Sequence, residues 1–177
     1  MMKLIKKFRQ RRLIRKDTVS YYRSLGAKIG DNCEIYRTVS FGSEPYLIEI
    51  GNFVRITSGV NLITHDGGVW VLRNIKPELK NVDIMKKIII GNNVHIGINA
   101  IIMPGVTIGN NCIVACGSIV TKSVPDNSIV AGVPARVIET IEEYEAKNSD
   151  RFLDIKNKTQ IEKKEFLINH FKEGKHL

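Results

Sequence analysis

The sequence predicts an all-β core wound as a parallel β-helix with helical segments at its ends, and three observations carry that expectation. From Ile90 an aliphatic residue recurs every six positions: Ile90, Ile96, Ile102, Ile108, Val114 and Val120. Four places after each stands a small or β-branched residue: Val94, Ala100, Val106, Cys112, Ser118 and Val124. Glycine and asparagine cluster between them, as in Gly91-Asn92-Asn93 and Gly109-Asn110-Asn111. A helix asks for apolar spacings of three and four and an alternating strand for two, so a period of six fits neither. It fits a coil with short flat faces: one large side chain per face points inward, a small one lies beside it, and a turn follows. Glycine and asparagine adopt the positive φ of such turns at little cost. Stacked coils then bury a continuous aliphatic column.

The first half repeats the pattern less strictly as Ile29, Ile35 and Phe41, then Ile50, Ile56 and Leu62, with Cys33, Val39, Val54 and Val60 among their companions. Nine residues rather than six lead from Phe41 to Ile50, so three extra residues are expected to project near Glu44-Pro45-Tyr46. Between Leu62 and Ile90 the repeat breaks for 28 residues. The stretch 66–87, with Gly67-Gly68, Trp70 and Pro77, is expected to loop out of the coil, and long loops in a compact repeat are usually functional. Beyond Ile138, IETIEEYEAK and KKEFLINHFKEG read as helices. They are expected to cap the open end of the coil, whose strand edges would otherwise stand unpaired. The organisation is thus a basic helical segment at 1–24, a coil at 25–138 with an extended loop at 66–87, and a helical extension at 139–177.

A length of 177 residues and a 43% hydrophobic share suit one folded domain with short appendages. The net charge of +9 is uneven. Residues 1–24 carry nine basic side chains against one acid, whereas residues 139–177 come to −1 and the middle to about +2. A nucleic-acid-binding protein usually carries its excess on the folded body, so no nucleic-acid partner is expected. In the basic segment Leu4, Ile5 and Phe8 share a helical face, which leaves two readings: a helix packed on its own domain, or peripheral contact with an anionic membrane. Its apolar pairs are broken by charge, which excludes a secretory signal, and no run of about 18 apolar residues spans a bilayer. Cys33, Cys112 and Cys116 cannot all pair with one another and no CxxC occurs, which points to a reducing, cytoplasmic setting. Cys33 and Cys112, at small-residue positions of the repeat, read as buried apolar side chains.

The stretch IIIGNNVHIGINAIIMPGVTIGNNCIVACGSIVTKSVPDNSIVAGVPARVI, and within it PGVTIG…GSIVTK…AGVPARVI, resembles the hexapeptide-repeat acyltransferases with a left-handed parallel β-helix. It is most similar to their maltose, galactoside, streptogramin and capsular-polysaccharide O-acetyltransferase branch. The specific motif covers about 50 residues, and weaker hexapeptides extend the match from about Ala27 to Ile138. The resemblance implies a homotrimer with acetyl-CoA in grooves between subunits and one histidine as general base, at the end of a coil where the extended loop departs. His65 in NLITHDGG occupies that place. His170 and His176 lie outside the repeat, leaving His65 and His95 as candidates.

Chemistry independently favours His65. Moving an acetyl group from a thioester to a sugar hydroxyl requires removal of the hydroxyl proton, and an imidazole with a pKa of about 6.5 suits that near neutrality. The substrate is itself the nucleophile, so no enzyme serine or cysteine is needed. His65 adjoins the loop where an acceptor would enter, while His95 lies inside a regular coil.

The resemblance implies further roles. His95 stands where relatives often carry a tryptophan beside the pantetheine arm, so it is expected to flank the cofactor without the same apolar contact. Cys116 and Gly117 would offer backbone groups to the pantetheine, Thr121 and Lys122 would lie near the adenosine 3′-phosphate and ribose, and Arg136 would reach a phosphate. On the acceptor side, Tyr36 stands where some relatives use an asparagine, and Glu44 where they place an acid that binds the sugar. Asp66 is placed to orient the imidazole or bind a hydroxyl. Trp70 offers a flat platform for a sugar ring or else buries the loop against the coil. No metal is expected: γ-type carbonic anhydrases share the β-helix, but their zinc needs three histidines, and only His65 and His95 lie in the repeat. The leading expectation is an acetyl-CoA-dependent O-acetyltransferase acting on a saccharide. The alternatives are the same chemistry on a sugar amine or antibiotic, and a non-catalytic trimeric scaffold.

Overall fold

The computed structural model describes residues 17–172, and among them thirteen short strands lie in three sheets. The first sheet stacks β1 (Lys28–Ile29), β3 (Ile48–Ile50), β6 (Ile88–Ile90) and β9 (Thr107–Ile108). The second stacks β2 (Glu34–Ile35), β4 (Arg55–Ile56), β7 (Val94–Ile96), β10 (Cys112–Val114) and β12 (Ser128–Gly132). The third stacks β5 (Asn61–Leu62), β8 (Ile101–Ile102) and β11 (Ile119–Val120). Every pairing among these strands is parallel, so the chain visits the three faces in turn and returns to the first one coil higher.

Register explains the period of six. Ile29, Ile50, Ile90 and Ile108 lie opposite one another down the first face, and Ile35, Ile56, Ile96, Val114 and Val130 down the second. Leu62, Ile102 and Val120 line the third. All of these side chains are buried, as are the small residues four places on, Val94, Ala100, Val106, Cys112, Ser118 and Val124. Cys112 is buried as expected; Cys33 is only half-buried, and its thiol reaches the Gly51 carbonyl at 3.1 Å.

Glycines recur after the first face because coils touch there. A Cβ on Gly51 would lie 2.7 Å from the Gly91 carbonyl oxygen, and one on Gly91 2.7 Å from that of Gly109, with no space to give. Beside them the asparagines form a ladder: the Asn52 N–H donates to Asn92 Oδ1 (2.8 Å), the Asn92 N–H to Asn110 Oδ1 (2.9 Å), and the Asn110 N–H to Asp126 Oδ1 (2.8 Å). Each side chain thus satisfies a turn donor of the coil below.

Both ends of the coil are closed. Helix α1 (Thr18–Ser24), capped by Asp17, lays the Tyr22 ring on Phe41 at 3.7 Å, and the Tyr22 hydroxyl donates to the Val39 carbonyl at 2.7 Å. At the far end β13 (Ala135–Thr140) pairs antiparallel with β12. That strand therefore pairs with the last edge of the second sheet, and it runs past the expected boundary at residue 138. The described residues from 142 onward form a second compact unit. Helix α3 (Ile141–Asn148) leads into it and α4 (Gln160–Lys172) ends it, so the helices read in the sequence are present.

The segment 66–87 leaves the coil as expected but is not irregular throughout. It contains helix α2 (Val69–Ile75) and a 3₁₀ turn at Pro77–Leu79. Residues 1–16, most of the basic segment, lie outside the described residues, so the reading of membrane contact there falls outside them too. Among the described residues no helix is long and apolar enough to cross a membrane.

Candidate active site

The long segment departs where the third face turns back to the first, and its two ends are zipped together. Ile63 still donates to the Ile102 carbonyl of the next coil (2.9 Å). One residue later the pairing switches to the returning limb: the Lys86 N–H donates to the Thr64 carbonyl (2.8 Å) and the Asp66 N–H to that of Ile84 (3.0 Å). His65 lies between these bonds, bridged antiparallel to Met85. Its backbone is fixed at the mouth of a groove of about 440 Å³, with Ile63, Asp66, Lys86, Met103, Pro104 and Thr121 among the other lining residues.

The His65 side chain is 44% exposed, yet its Nδ1 is covered and makes no hydrogen bond. The nearest carboxylate oxygen, Glu44 Oε2, lies 3.5 Å from Nδ1. Glu44 is not a projecting residue: its side chain is only 14% exposed, and Oε2 accepts from Thr64 Oγ1 at 2.9 Å. Hydrogen bonds from Ser43 first, then Thr64, together with the electrostatic effect of the nearby His65 ring, hold the Glu44 carboxyl below the usual range against the opposing effect of burial. The extra residues near Glu44 therefore turn the acid back under the corner.

The other expected site residues divide among several places. Asp66 is exposed at the groove and its Oδ1 accepts from the Gly68 N–H (2.8 Å), so one of its oxygens serves the turn into α2. Trp70 stands on α2, 69% exposed, and does not bury the loop against the coil. Tyr36 follows β2 on the second face; its hydroxyl accepts from Arg55 Nη2 at 2.8 Å, and Arg55 also pairs with Glu34 at 2.9 Å. His95 faces outward from β7 in the same ladder, opposite Arg55 and Ile113. It lines a separate depression of about 310 Å³ with Phe53 and Arg55. Burial first, then the Arg55 charge, lower its pKa, with Glu34 opposing.

Of the residues expected to hold the donor, Lys122 and Arg136 come together in a cleft of about 180 Å³. Thr121 does not join them; it lines the His65 groove. Cys116 is exposed. The Gly117 N–H donates to the Ile98 carbonyl at 2.8 Å, so of its backbone polar groups the carbonyl is the one left to meet a ligand. Among the described residues no group of three or more His, Cys, Asp or Glu stands close enough to hold a metal ion.

Two groove residues, Met103 and Lys86, escaped the sequence reading, and a third, Thr121, was expected at the phosphate end of the donor instead. Met103 directly follows Ile102, and Thr121 directly follows Val120, so the third-face register already placed Met103 and Thr121 on the corner of His65. Lys86 comes from the returning limb, which carries no periodic signal.

Comparison with known proteins is consistent with this geometry. The bacterial transferase hexapeptide family (six repeats) matches residues 87–122. Protein CapG of Staphylococcus aureus is 50% identical over 156 residues, which cover 87% of this chain and 89% of that protein. The maltose O-acetyltransferase of Clostridium difficile 630 aligns with a TM-score of 0.57 at 25% identity, covering 77% of this chain and 87% of its own. A hexapeptide-repeat containing acetyltransferase of Vibrio cholerae O1 biovar eltor, complexed with acetyl coenzyme A, aligns with a TM-score of 0.52 at 26% identity over 75% of this chain and 83% of that one.

Proposed function

The chain belongs to the hexapeptide-repeat acyltransferases, and from that premise we propose that it moves an acetyl group from acetyl-CoA to a saccharide hydroxyl, with His65 as general base. The observation that carries this reading is the posture of His65: Nδ1 covered against Glu44, the rest of the ring open to a groove at the root of the long segment. The exposed part of the ring is then its Nε2 side, where a hydroxyl proton would be met. Acetyl-CoA as donor is supported by the Vibrio cholerae relative, and a sugar hydroxyl as acceptor by the maltose O-acetyltransferase.

The acceptor oxygen attacks the thioester carbonyl carbon as Nε2 takes its proton. The C–S bond then breaks, and the proton passes from Nε2 to the departing thiolate, which restores the neutral imidazole. Cationic side chains suit the phosphate end of the donor, and Lys122 with Arg136 supply them. Three copies of a left-handed coil would set this cleft and the His65 groove into a shared crevice between subunits, within the cytoplasm. Replacing His65 by alanine is expected to lower turnover on the order of 10²–10⁴-fold while CoA still raises the melting temperature. Near-full activity of that variant would refute the assignment.

A further inference from the structure

We propose that Glu44 is a positioning residue for His65: held by Thr64, its carboxylate keeps the imidazole as the Nδ1–H tautomer with Nε2 turned to the groove. This rests on the reading of His65 as the base, and it assigns Glu44 a task other than gripping the acceptor.

Four observations lead there. First, Nδ1 of His65 is shielded from solvent and makes no hydrogen bond, and a buried polar atom of this kind demands a partner. Second, Glu44 Oε2 lies 3.5 Å away, and an ionised carboxylate can only accept, so the proton belongs on Nδ1. A neutral imidazole protonated there carries its lone pair on Nε2, the form a general base requires. Third, the acid is itself held. Thr64 is fully buried and donates to the same oxygen at 2.9 Å. On the chain side, Glu44 is followed by the buried Pro45 at the head of a 3₁₀ turn, Pro45–Leu47. Fourth, Glu44 is largely covered, whereas an acid that binds a sugar hydroxyl must present an open oxygen. The separation of 3.5 Å is the looser geometry expected before substrate closes a site, and it shortens to a hydrogen bond in the reacting complex.

The spacing of the sequence agrees with this arrangement. Glu44 sits in the one place where the first half of the repeat takes nine residues instead of six. Those extra residues bring a carboxylate beneath the corner from which His65 leaves, 21 residues later in the chain.

The test uses the full chain carrying Glu44→Ala, Glu44→Gln or Thr64→Val, each checked for an unchanged fold by circular dichroism. Ring-nitrogen NMR of histidine-labelled protein, with the His65 signal identified by its loss in His65→Ala, reads the tautomer directly. The wild type is expected to show a protonated Nδ1, and Glu44→Ala a shift toward the Nε2–H form. With acetyl-CoA and an accepted saccharide, Glu44→Ala and Glu44→Gln are expected to lower kcat about 10-fold or more, with KM for the acceptor within about 2-fold of wild type. Thr64→Val is expected to change kcat in the same direction by less. An unchanged tautomer, or a raised acceptor KM with normal kcat, would overturn the proposal and return Glu44 to acceptor binding. Retained activity in His65→Ala would instead defeat the reading of the base, while the NMR result would still judge the hold of Glu44 on the ring.

Discussion

Thr121 and Lys122 are consecutive in the chain yet open onto different depressions: Thr121 lines the His65 groove, and Lys122 lines the cleft with Arg136. Val120 before them points into the core, so the chain is turning the corner here and successive side chains diverge. A pair expected to act together on the phosphate end of the donor thus opens onto two different depressions.

That division predicts separable kinetics. Lys122→Ala and Arg136→Ala are each expected to raise KM for acetyl-CoA, roughly 3- to 10-fold for an exposed charge-assisted contact. The effect of each should weaken at high salt. Thr121→Val is expected to act on kcat and acceptor KM instead. Steady-state kinetics with either substrate varied, at low and high salt, distinguish the two patterns.

The aliphatic column predicts where stability resides. Ile96 is fully buried and lies in register between Ile56 and Val114. Ile96→Ala is expected to cost about 2–5 kcal/mol, because stacked coils above and below cannot collapse into the space left. Urea unfolding, with the midpoint shifted and the slope unchanged, is the measurement.

Arg23 predicts an effect at the start of the coil. Its guanidinium donates to the Ile29 carbonyl from both Nε (2.9 Å) and Nη2 (2.7 Å), and Nη2 also donates to that of Gly30 (2.6 Å). These carbonyls lie at the end of the first strand and just after it, and among the described residues no earlier coil precedes them. Arg23→Ala is expected to destabilise by about 1–2 kcal/mol. Lysine is expected to restore little, since it lacks the planar fork. Thermal melts of the three proteins test this.

A pH effect follows from His95. Burial first, and the neighbouring Arg55 charge, push its pKa below the ordinary 6.5, with Glu34 opposing. The fold therefore favours the neutral ring. Its contribution is fully present above pH 6.5 and is lost as pH falls through the lowered folded value. Wild-type protein is expected to lose melting temperature between pH 7.5 and 5.5, and His95→Gln to lose less. Equal losses in the two proteins would sink the prediction.

The core and the corner that carries His65 were legible in the sequence, since both rest on local rules. A large side chain every six residues, a small one four places on and a turn residue between are each decided within one face. The register then stacks Ile90 on Ile50 and Ile102 on Leu62. His65 was marked by the break in that rhythm. Helix α2 was hidden because Val69, Val71 and Ile75 are β-branched and Trp70 is aromatic, all weak helix formers, and Gly67 and Gly68 precede them.

By itself, then, the sequence determined the coil, its inward residues, the point where the chain leaves it and the histidine at that point. Only the tertiary structure decided that Glu44 folds under His65 onto Thr64, that Thr121 and Lys122 part, and that His95 sits with Arg55 on another face. The physical reason is range: a repeat is enforced by neighbours within one coil, whereas these contacts join residues 20 or more positions apart, or depend on which way a corner side chain turns.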